Sequence, residues 1–282
     1  MSGTRTILIT GCSSGIGYGA AVQLRQRGYR VFATARKEED LARLENEGFD
    51  AVPLELSDSA SIARAVDLVL QRTGGTLDAV FNNAAYGQPG AVEDLRRDVL
   101  RAQFETNLFG TLELTNRIIP VMRRQGHGRL VFTSSVLGLV AMPYRGAYNA
   151  SKFALEGLID TLRLELHGSG LHASLIEPGP IKSRFRANAY AMYQKNIDRE
   201  HSAHREIYQG LERRLTKTGA TSAFARAPDA VVQRLIHALE SPRPKQRYYV
   251  TPPTFFFAAI RRVLPLPLID SILLAVSRNE HR

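Results

Sequence analysis

Short apolar runs alternate with longer segments of helical periodicity over most of the chain. Seven of these runs predict buried strands, at residues 6–10, 30–35, 51–54, 79–82, 129–133, 172–176 and 246–250. Helical patterns lie between them, at residues 18–27, 59–73, 147–167 and 228–240, with a long one that ends near residue 125. Strands that alternate with helices predict right-handed βαβ units. The expected fold class is therefore α/β, a doubly wound, mostly parallel seven-stranded sheet with helices on both faces.

The pattern changes after residue 183. Residues 184–226 are polar and rich in Tyr, His and Arg, and they predict a helical insertion whose apolar residues recur at i+4 spacing: Ile207, Leu211 and Leu215. From residue 254 the chain is apolar, and the Pro-x-Pro break at 265–267 predicts two short helices rather than one. Charges and prolines interrupt this tail, so it does not predict a membrane span.

Composition narrows the function classes. Lys and Arg number 37 against 27 Asp and Glu, a formal net charge of +10. Because the arginines are spread along the chain, nucleic-acid binding is not expected; an Arg-rich proteome, or a surface that favours phosphorylated cofactors or anionic lipid, remains open. The single cysteine, Cys12, excludes an internal disulfide and a Cys-rich zinc site. The N-terminal apolar run at 7–9 is too short for a signal peptide.

A glycine-rich loop joins the first predicted strand to the first helix. Gly11, Gly15 and Gly17 permit a tight turn and close backbone approach, and a helix N-terminus offers free N–H groups to phosphate. A purely structural turn is the alternative. The strand–loop–helix context favours nucleotide binding.

A second group of residues carries candidate acid–base chemistry. Tyr148 and Lys152 are four residues apart on one predicted helix, and Ser135 follows a predicted strand whose carboxyl end would line a ligand crevice. A surface Tyr–Lys pair is the alternative. Asn107 sits in a helical pattern where Asn is unfavourable, so a helix kink is its plainer explanation. Turn chemistry also accounts for Asn82 and Asn83.

Taken together, these motifs resemble the short-chain dehydrogenase/reductase family over residues 4–183 and 227–250. The family's glycine motif falls on the three glycines of the first loop. Its Asn-Asn-Ala-Gly falls on 82–85, with Ala85 in place of Gly, and its Pro-Gly-x-x-x-Thr falls on 178–183, with Ser183 in place of Thr. Its Leu-Asp-Val looks like 54–56, with Glu55 in place of Asp. The stretches 128–157 and 178–185 look most like the 17β-hydroxysteroid and retinol dehydrogenase branch, and also like bacterial aldehyde and ketone reductases.

The resemblance implies a Rossmann sheet and assigns roles to individual residues. The implied catalytic residues are Asn107, Ser135, Tyr148 and Lys152. The implied cofactor-binding residues are Gly11, Ser13, Ser14, Gly15, Ile16, Gly17, Arg36, Lys37, Leu56, Asn83, Ala84, Tyr148, Lys152, Pro178, Gly179, Ile181 and Ser183. Tyr148 would act as general acid or base, with its pKa lowered by the Lys152 ammonium, while Ser135 holds the substrate oxygen. Asn107 would hold a water that relays protons to Lys152.

The end of the second predicted strand indicates the cofactor. An acidic residue there would accept the ribose hydroxyls of NAD. This chain has Arg36 and Lys37, which would pair with the 2′-phosphate of NADP, and Ser14 could add a hydrogen bond. We therefore expect an NADP(H)-dependent oxidoreductase, acting mainly as a carbonyl reductase on an apolar substrate. A non-catalytic NADP-sensing protein on the same fold is the alternative.

The remaining expectations concern organisation and partners. We expect one domain, with a cofactor and catalytic core at 4–183, a substrate lid at 184–226, the last helix and strand at 227–253, and an apolar tail at 254–282. The resemblance implies the lid, and an ordinary helical surface whose aromatics pack on the core is the alternative. An apolar substrate is suggested by four residues of this segment: Phe185, Tyr190, Met192 and Tyr193. The tail either packs on its own domain or across a dimer, or makes peripheral contact with a membrane. We expect a cytoplasmic homo-oligomer, a dimer or tetramer, with no nucleic-acid partner. No metal is expected, because His201 and His204 lack a convincing further ligand.

Overall fold

The sheet has seven strands and all of its pairings are parallel. The computed structural model describes residues 4–219 and 222–281, and the side chains as far as 278. The strands are β1 (Thr6–Ile9), β2 (Arg30–Ala35), β3 (Asp50–Pro53), β4 (Ala79–Asn82), β5 (Gly128–Thr133), β6 (Leu171–Glu177) and β7 (Arg247–Tyr249). Their order in the sheet is β3-β2-β1-β4-β5-β6-β7. The doubly wound prediction is therefore confirmed.

The strand order creates a crevice between β1 and β4. From β1 the chain winds to β2 and β3, then returns to β4 on the other side of β1, with Ile7 beside Ala79 and Ile9 beside Phe81. The connections that leave these two carboxyl ends run in opposite directions along the sheet. Such a switch point is where open parallel sheets bind ligands.

Helices cover both faces of the sheet. They are α1 (Gly15–Gln26), α2 (Glu38–Asn46), α3 (Ser59–Thr73), α4 (Arg97–Phe104), α5 (Gly110–Gln125), α6 (Gly146–Glu165), α7 (Phe185–Asn196), α8 (Arg205–Thr216), α9 (Asp229–Glu240), α10 (Pro252–Val263) and α11 (Leu266–His281). One buried layer joins α1, α2 and α9 to the sheet, and the other joins α3, α5 and α6. Two fully buried apolar layers hold the strand ends in fixed positions.

Two helix predictions needed correction. α1 begins at Gly15 rather than at residue 18, because the glycine motif itself forms the first turn, and its two glycines are unfavourable in a helix and so hide the pattern. The long pattern that ends near residue 125 is two helices joined by a five-residue π-turn, Glu105–Phe109. Such turns are rare and often lie at functional sites.

The insertion forms α7 and α8, whose shared core is aromatic. Leu211 and Leu215 are buried as predicted, but Ile207 is 37% exposed and Tyr208 takes the buried position beside it. Tyr208 donates a hydrogen bond to Asp94, and the backbone N–H of Ala91 donates to the Tyr208 hydroxyl at 2.9 Å. The insertion is therefore tied to the loop after β4.

The apolar tail forms two helices, as the proline break predicted. Their inner faces form one apolar cluster with Val140, to which Phe257, Ile260, Ile269 and Leu273 contribute. The tail thus packs on its own fold beside the turn that follows β5. Within residues 4–219 and 222–281, no helix is long and apolar enough to span a membrane.

Candidate active site

The loop after β1 forms an open cradle at the N-terminus of α1. Gly11 and Gly15 have φ values of 75° and 62°, which favour glycine. A Cβ at Gly17 would overlap the Gly11 carbonyl oxygen and lie 2.8 Å from Asn83 Nδ2. Ser14 precedes α1 without capping it through its side chain. Close backbone packing and an uncapped helix start are what a pyrophosphate requires, so the residues present fit a dinucleotide.

Asn83 and Ala84 close the other side of this cradle. The Thr10 hydroxyl accepts the backbone N–H groups of Asn83 at 2.8 Å and Ala84 at 2.9 Å, and Asn83 Nδ2 donates to the Thr10 carbonyl at 3.0 Å. A Cβ at Gly11 would meet Ala84 at 3.1 Å. Asn83 thus holds the end of β4 against the end of β1, which is a more specific role than the turn that the sequence also allowed.

The far side of the crevice is charged. Arg36 follows β2 and lies 71% exposed, with Nη1 at 3.3 Å from Glu55 Oε2. Lys37 lies directly before α2, with its ammonium 3.0 Å from Glu39. Burial works to raise the pKa of Glu55, but hydrogen bonds from Ser57 and the nearby Arg36 outweigh it and lower that pKa. Both predicted cations thus lie at the end of β2, and Arg36 has a carboxylate partner.

The loop after β6 faces the glycine loop. Ser183 Cβ would lie 3.2 Å from a Cβ at Gly15. A Cβ at Gly179 would overlap the buried Thr251 hydroxyl, and the Pro178 carbonyl accepts the Val136 N–H at 2.8 Å. Ile181 forms a bridge with Arg226. The predicted cofactor-binding residues after β6 therefore lie next to those of the loop after β1.

Ser135, Tyr148 and Lys152 meet where β5 ends and α6 begins. Ser135 is hydrogen-bonded to the Tyr148 hydroxyl. Lys152 is 2% exposed, and its ammonium donates to the Thr133 carbonyl at 2.7 Å while lying 5.7 Å from the Tyr148 ring centre. The structure thus brings together the three residues that the sequence placed on a strand end and a helix face.

The pKa values of Tyr148 and Lys152 are both shifted by burial, and the shift of Tyr148 is opposite to the expected one. Burial raises the pKa of Tyr148 to about 12, and the hydrogen bond from Ser135 offsets only part of the shift. Burial lowers the pKa of Lys152 to about 8, against an opposing effect of Glu156. The expected lowering of the Tyr148 pKa by Lys152 is not observed: burial raises this pKa, and Ser135 is the group that opposes the rise.

Asn107 lies inside the π-turn, 1% exposed. Its Oδ1 accepts the Tyr86 N–H at 3.1 Å, and its Nδ2 donates to the Tyr86 carbonyl at 2.9 Å and to Ser151 Oγ at 3.1 Å. The side chain therefore fixes the loop after β4 against α6. The water relay to Lys152 stays a prediction.

Two contacts at the site were not predicted from the sequence. Phe185, the first residue of α7, packs edge-on against the Tyr148 ring at 5.3 Å between centres, and its Cζ would lie 2.9 Å from a Cβ at Gly87. Behind Lys152, the Arg247 guanidinium contacts three carboxylates. Nothing in local spacing joins Arg247 to α6, because the contact arises only from the strand order.

Fold and site together define an oxidoreductase that works with a bound nicotinamide dinucleotide. The family model described as short chain dehydrogenase matches residues 5–194, and the chain belongs to this family. An uncharacterized oxidoreductase of Escherichia coli K12, YbbO, is 41% identical over 95% of this chain and 94% of its own length. Human 17-beta-hydroxysteroid dehydrogenase type 1 is 36% identical over 87% of this chain and 77% of its own length.

Solved structures agree on the fold. A short-chain dehydrogenase from Streptomyces avermitilis is 26% identical and superposes with a TM-score of 0.76, over 99% of this chain and 96% of its own. A relative from Burkholderia phymatum in complex with NAD is 22% identical, with a TM-score of 0.76 over 92% of both chains. One from Burkholderia cenocepacia in complex with NADP is 22% identical, with a TM-score of 0.73 over 96% of this chain and 98% of its own. The structural neighbours thus include a complex with NAD and a complex with NADP.

Proposed function

We propose that the protein is an NADP(H)-dependent oxidoreductase that interconverts an apolar alcohol and its aldehyde or ketone, acting mainly as a carbonyl reductase. The observation that carries this proposal is the meeting of Ser135, Tyr148 and Lys152 beside the glycine loop. The preference for NADP rests on Arg36 and Lys37 at the end of β2, where a 2′-phosphate would find cations. The apolar substrate class rests on Phe185, which packs against the Tyr148 ring at the site.

Each residue of the site has a chemical task in carbonyl reduction. A nicotinamide dinucleotide held at the glycine loop would supply the hydride for the carbonyl carbon. Ser135 holds the carbonyl oxygen, and Tyr148 donates its phenolic proton to that oxygen. Because burial raises the Tyr148 pKa to about 12, the phenol is protonated at neutral pH, which is the form that reduction needs. The Lys152 ammonium then stabilises the phenolate that remains.

The division of the chain follows the same proposal. Residues 4–183 hold the cofactor and the reacting groups, and 184–226 cover the substrate. The last helix and strand, 227–253, brace the crevice from the far side. We propose a homo-oligomer, a dimer or tetramer, located in the cytoplasm.

A spectrophotometric screen tests the function. Purified protein is mixed with NADPH and a set of steroid, retinoid and aliphatic carbonyls, and absorbance loss at the NADPH band is followed. We expect turnover of apolar carbonyls, and a Tyr148→Phe protein slowed at least about 100-fold with cofactor binding retained. NADPH binding without turnover of any carbonyl would favour the sensing alternative. Normal turnover by Tyr148→Phe would refute its role.

The outer face of the tail supports a peripheral membrane contact. Large apolar side chains lie exposed along α10 and α11: Phe255, Phe256, Val263, Leu266, Leu268 and Leu274. The described side chains of the two helices include three arginines, Arg261, Arg262 and Arg278, against one acid, Asp270. Two copies joined through this face would bring like charges together, whereas anionic lipid complements them. We therefore propose an anionic bilayer as the partner of this face.

Vesicle sedimentation tests this contact. The protein is spun with phosphatidylglycerol-containing vesicles at low and high salt, and we expect it to pellet at low salt only. Leu268→Ser should reduce pelleting, while Leu164→Ser, at an exposed position on α6, should not. If the protein does not pellet at low salt, the membrane contact is refuted. If, in addition, analytical ultracentrifugation shows a dimer that Leu268→Ser abolishes, the face belongs to a contact with a second copy.

A further inference from the structure

A buried ionic cluster lies directly behind Lys152. Arg247, the first residue of β7, contacts Glu156 through Nη1 and reaches Glu177 Oε1 and Asp160 Oδ2 at 2.5 Å each. Glu177 is fully buried at the end of β6, Glu156 is 6% exposed on α6, and Asp160 is half exposed one turn further along α6. Three carboxylates thus share one guanidinium in the layer that supports the reacting groups.

Glu156 is the member of this cluster nearest to the chemistry. It follows Lys152 by four residues on α6, so the two side chains lie on one helix face. Both are buried, and each is close to β5: Lys152 bonds to the Thr133 carbonyl, and Glu156 lies beside Ser134. Buried charges on neighbouring turns of one helix act on each other strongly, because little water lies between them.

The distribution of protons in the cluster follows from its contacts. Burial raises the pKa of Glu177 to about 8, and the Glu156 charge pushes in the same direction. Glu177 Oε2 and Glu156 Oε1 are both buried without a hydrogen-bond partner, so each carboxyl group meets Arg247 through its other oxygen. Burial also raises the pKa of Glu156, but Ser134 and Arg247 oppose this, and a cavity of about 540 Å³ opens beside Glu156 and Arg247. The pKa of about 8 places the proton on Glu177 at neutral pH, and we assign the charge to Glu156, which lines the cavity and contacts Arg247.

We propose that Glu156 is a positioning residue for the reaction: clamped by Arg247, it keeps a carboxylate one helical turn behind Lys152 and holds that lysine as an ammonium. Its importance for catalysis rests on the proposed reductase function, whereas the effect on Lys152 does not. The titratable and charged groups around Lys152 and its cluster are Tyr148, Glu156, Asp160, Glu177, Arg247, Arg261 and Arg262. Among them, Glu156 is the carboxylate that opposes the effect of burial on Lys152.

The first test measures the charge on Lys152 without any reaction. The free energy of unfolding is measured from pH 6 to 10.5 for the wild type and for Lys152→Met, and their difference isolates the lysine. The Lys152 pKa is about 8 in the folded protein, against an ordinary value of 10.5 for lysine. The unfolded chain therefore takes up the proton first as pH falls, so this difference should rise with pH between those values.

The same pair of measurements is then made in a Glu156→Gln background. Loss of the carboxylate should lower the pKa of Lys152, so the rise should begin at least about one pH unit lower. Glu177→Gln is the matched control below about pH 8: it also faces Arg247 but replaces a group that is still neutral there, so it should not move the onset to lower pH. Equal onsets with Glu156 and with Gln in its place would overturn the proposal.

A pH profile provides the catalytic readout. In kcat/KM for carbonyl reduction, the alkaline loss of rate should move to lower pH in Glu156→Gln and stay in place in Glu177→Gln over pH 6–8. If Glu156→Gln does not fold, Glu156→Asp keeps the carboxylate on the same helix face but shortens the side chain, and a smaller shift in the same direction is expected. Absence of wild-type turnover would count against the reductase function alone, because the unfolding measurement still decides the role of Glu156.

Discussion

The most direct test of cofactor choice is the substitution Arg36→Asp. Arg36 is 71% exposed at the end of β2, and its nearest described charge is the Glu55 carboxylate at 3.3 Å. The substitution removes a cation from the place proposed for a 2′-phosphate and leaves two carboxylates there. Both changes oppose NADPH, whereas NADH carries no phosphate at that position and should bind within about threefold of its original affinity.

The magnitude follows from exposure. Two unit charges about 4 Å apart interact with about 1 kcal/mol in water and about 4 kcal/mol at an effective dielectric of 20. Because Arg36 is mostly exposed, the lower value applies to the lost attraction and again to the new repulsion, about 2 kcal/mol in all. At about 1.4 kcal/mol per tenfold change, NADPH should bind about 30-fold more weakly.

Fluorescence titration of both cofactors against both proteins measures this effect. Arg36→Lys is the control, because it keeps the charge and should change NADPH binding by less than about fivefold. Raising the salt concentration should weaken NADPH binding to the wild type more than to Arg36→Asp, since exposed charges are screened. An NADPH to NADH preference that does not change on Arg36→Asp would refute the assignment.

Two further predictions concern substrate access and stability. Phe185→Ala should open the space between Gly87 and Tyr148 and raise kcat/KM for bulky ketones relative to small aldehydes. Leu164→Ala, about 24 Å along α6 from Tyr148, is the control and should leave that ratio unchanged. An unaltered ratio in Phe185→Ala would place the substrate elsewhere. Gly179→Ala should cost about 1–3 kcal/mol in urea denaturation, because its methyl group would overlap the buried Thr251 hydroxyl. Gly157→Ala is its control, with open space around the new methyl group and no loss of stability expected; equal stability of the two variants would contradict the packing argument.

The strands and most helices could be predicted because their signals are local. Apolar runs such as 30–35 and the i+4 recurrence of Ile62 and Val66 depend only on neighbours along the chain. The start of α1 was misplaced because glycine gives no periodic signal. Ile207 was misassigned because spacing alone cannot tell which side of a polar helix faces the core, and Tyr208 supplied the buried contact.

The same distinction between local and long-range signals applies to the candidate site. Ser135, Tyr148 and Lys152 could be joined from the sequence, because one strand end and one helix face place them together. The displaced pKa of Tyr148 could not be foreseen, since it depends on how deeply the hydroxyl lies and not on the residue types around it. Arg247 reaches α6 only because β7 lies beside β6, which is a property of the finished sheet.

The order of the strands also decides when the protein can first bind its ligand during synthesis. Pairing of β1 with β4 joins Ile7 to Ala79, so the crevice cannot form until the fourth strand has left the ribosome. Pairing of β6 with β7, which brings in Arg247, waits for some seventy further residues after Leu175. Parallel pairings between distant segments form slowly, and the apolar strands stay uncovered in the meantime. A nascent chain of this protein therefore depends on shielding of its first strands until the last one arrives.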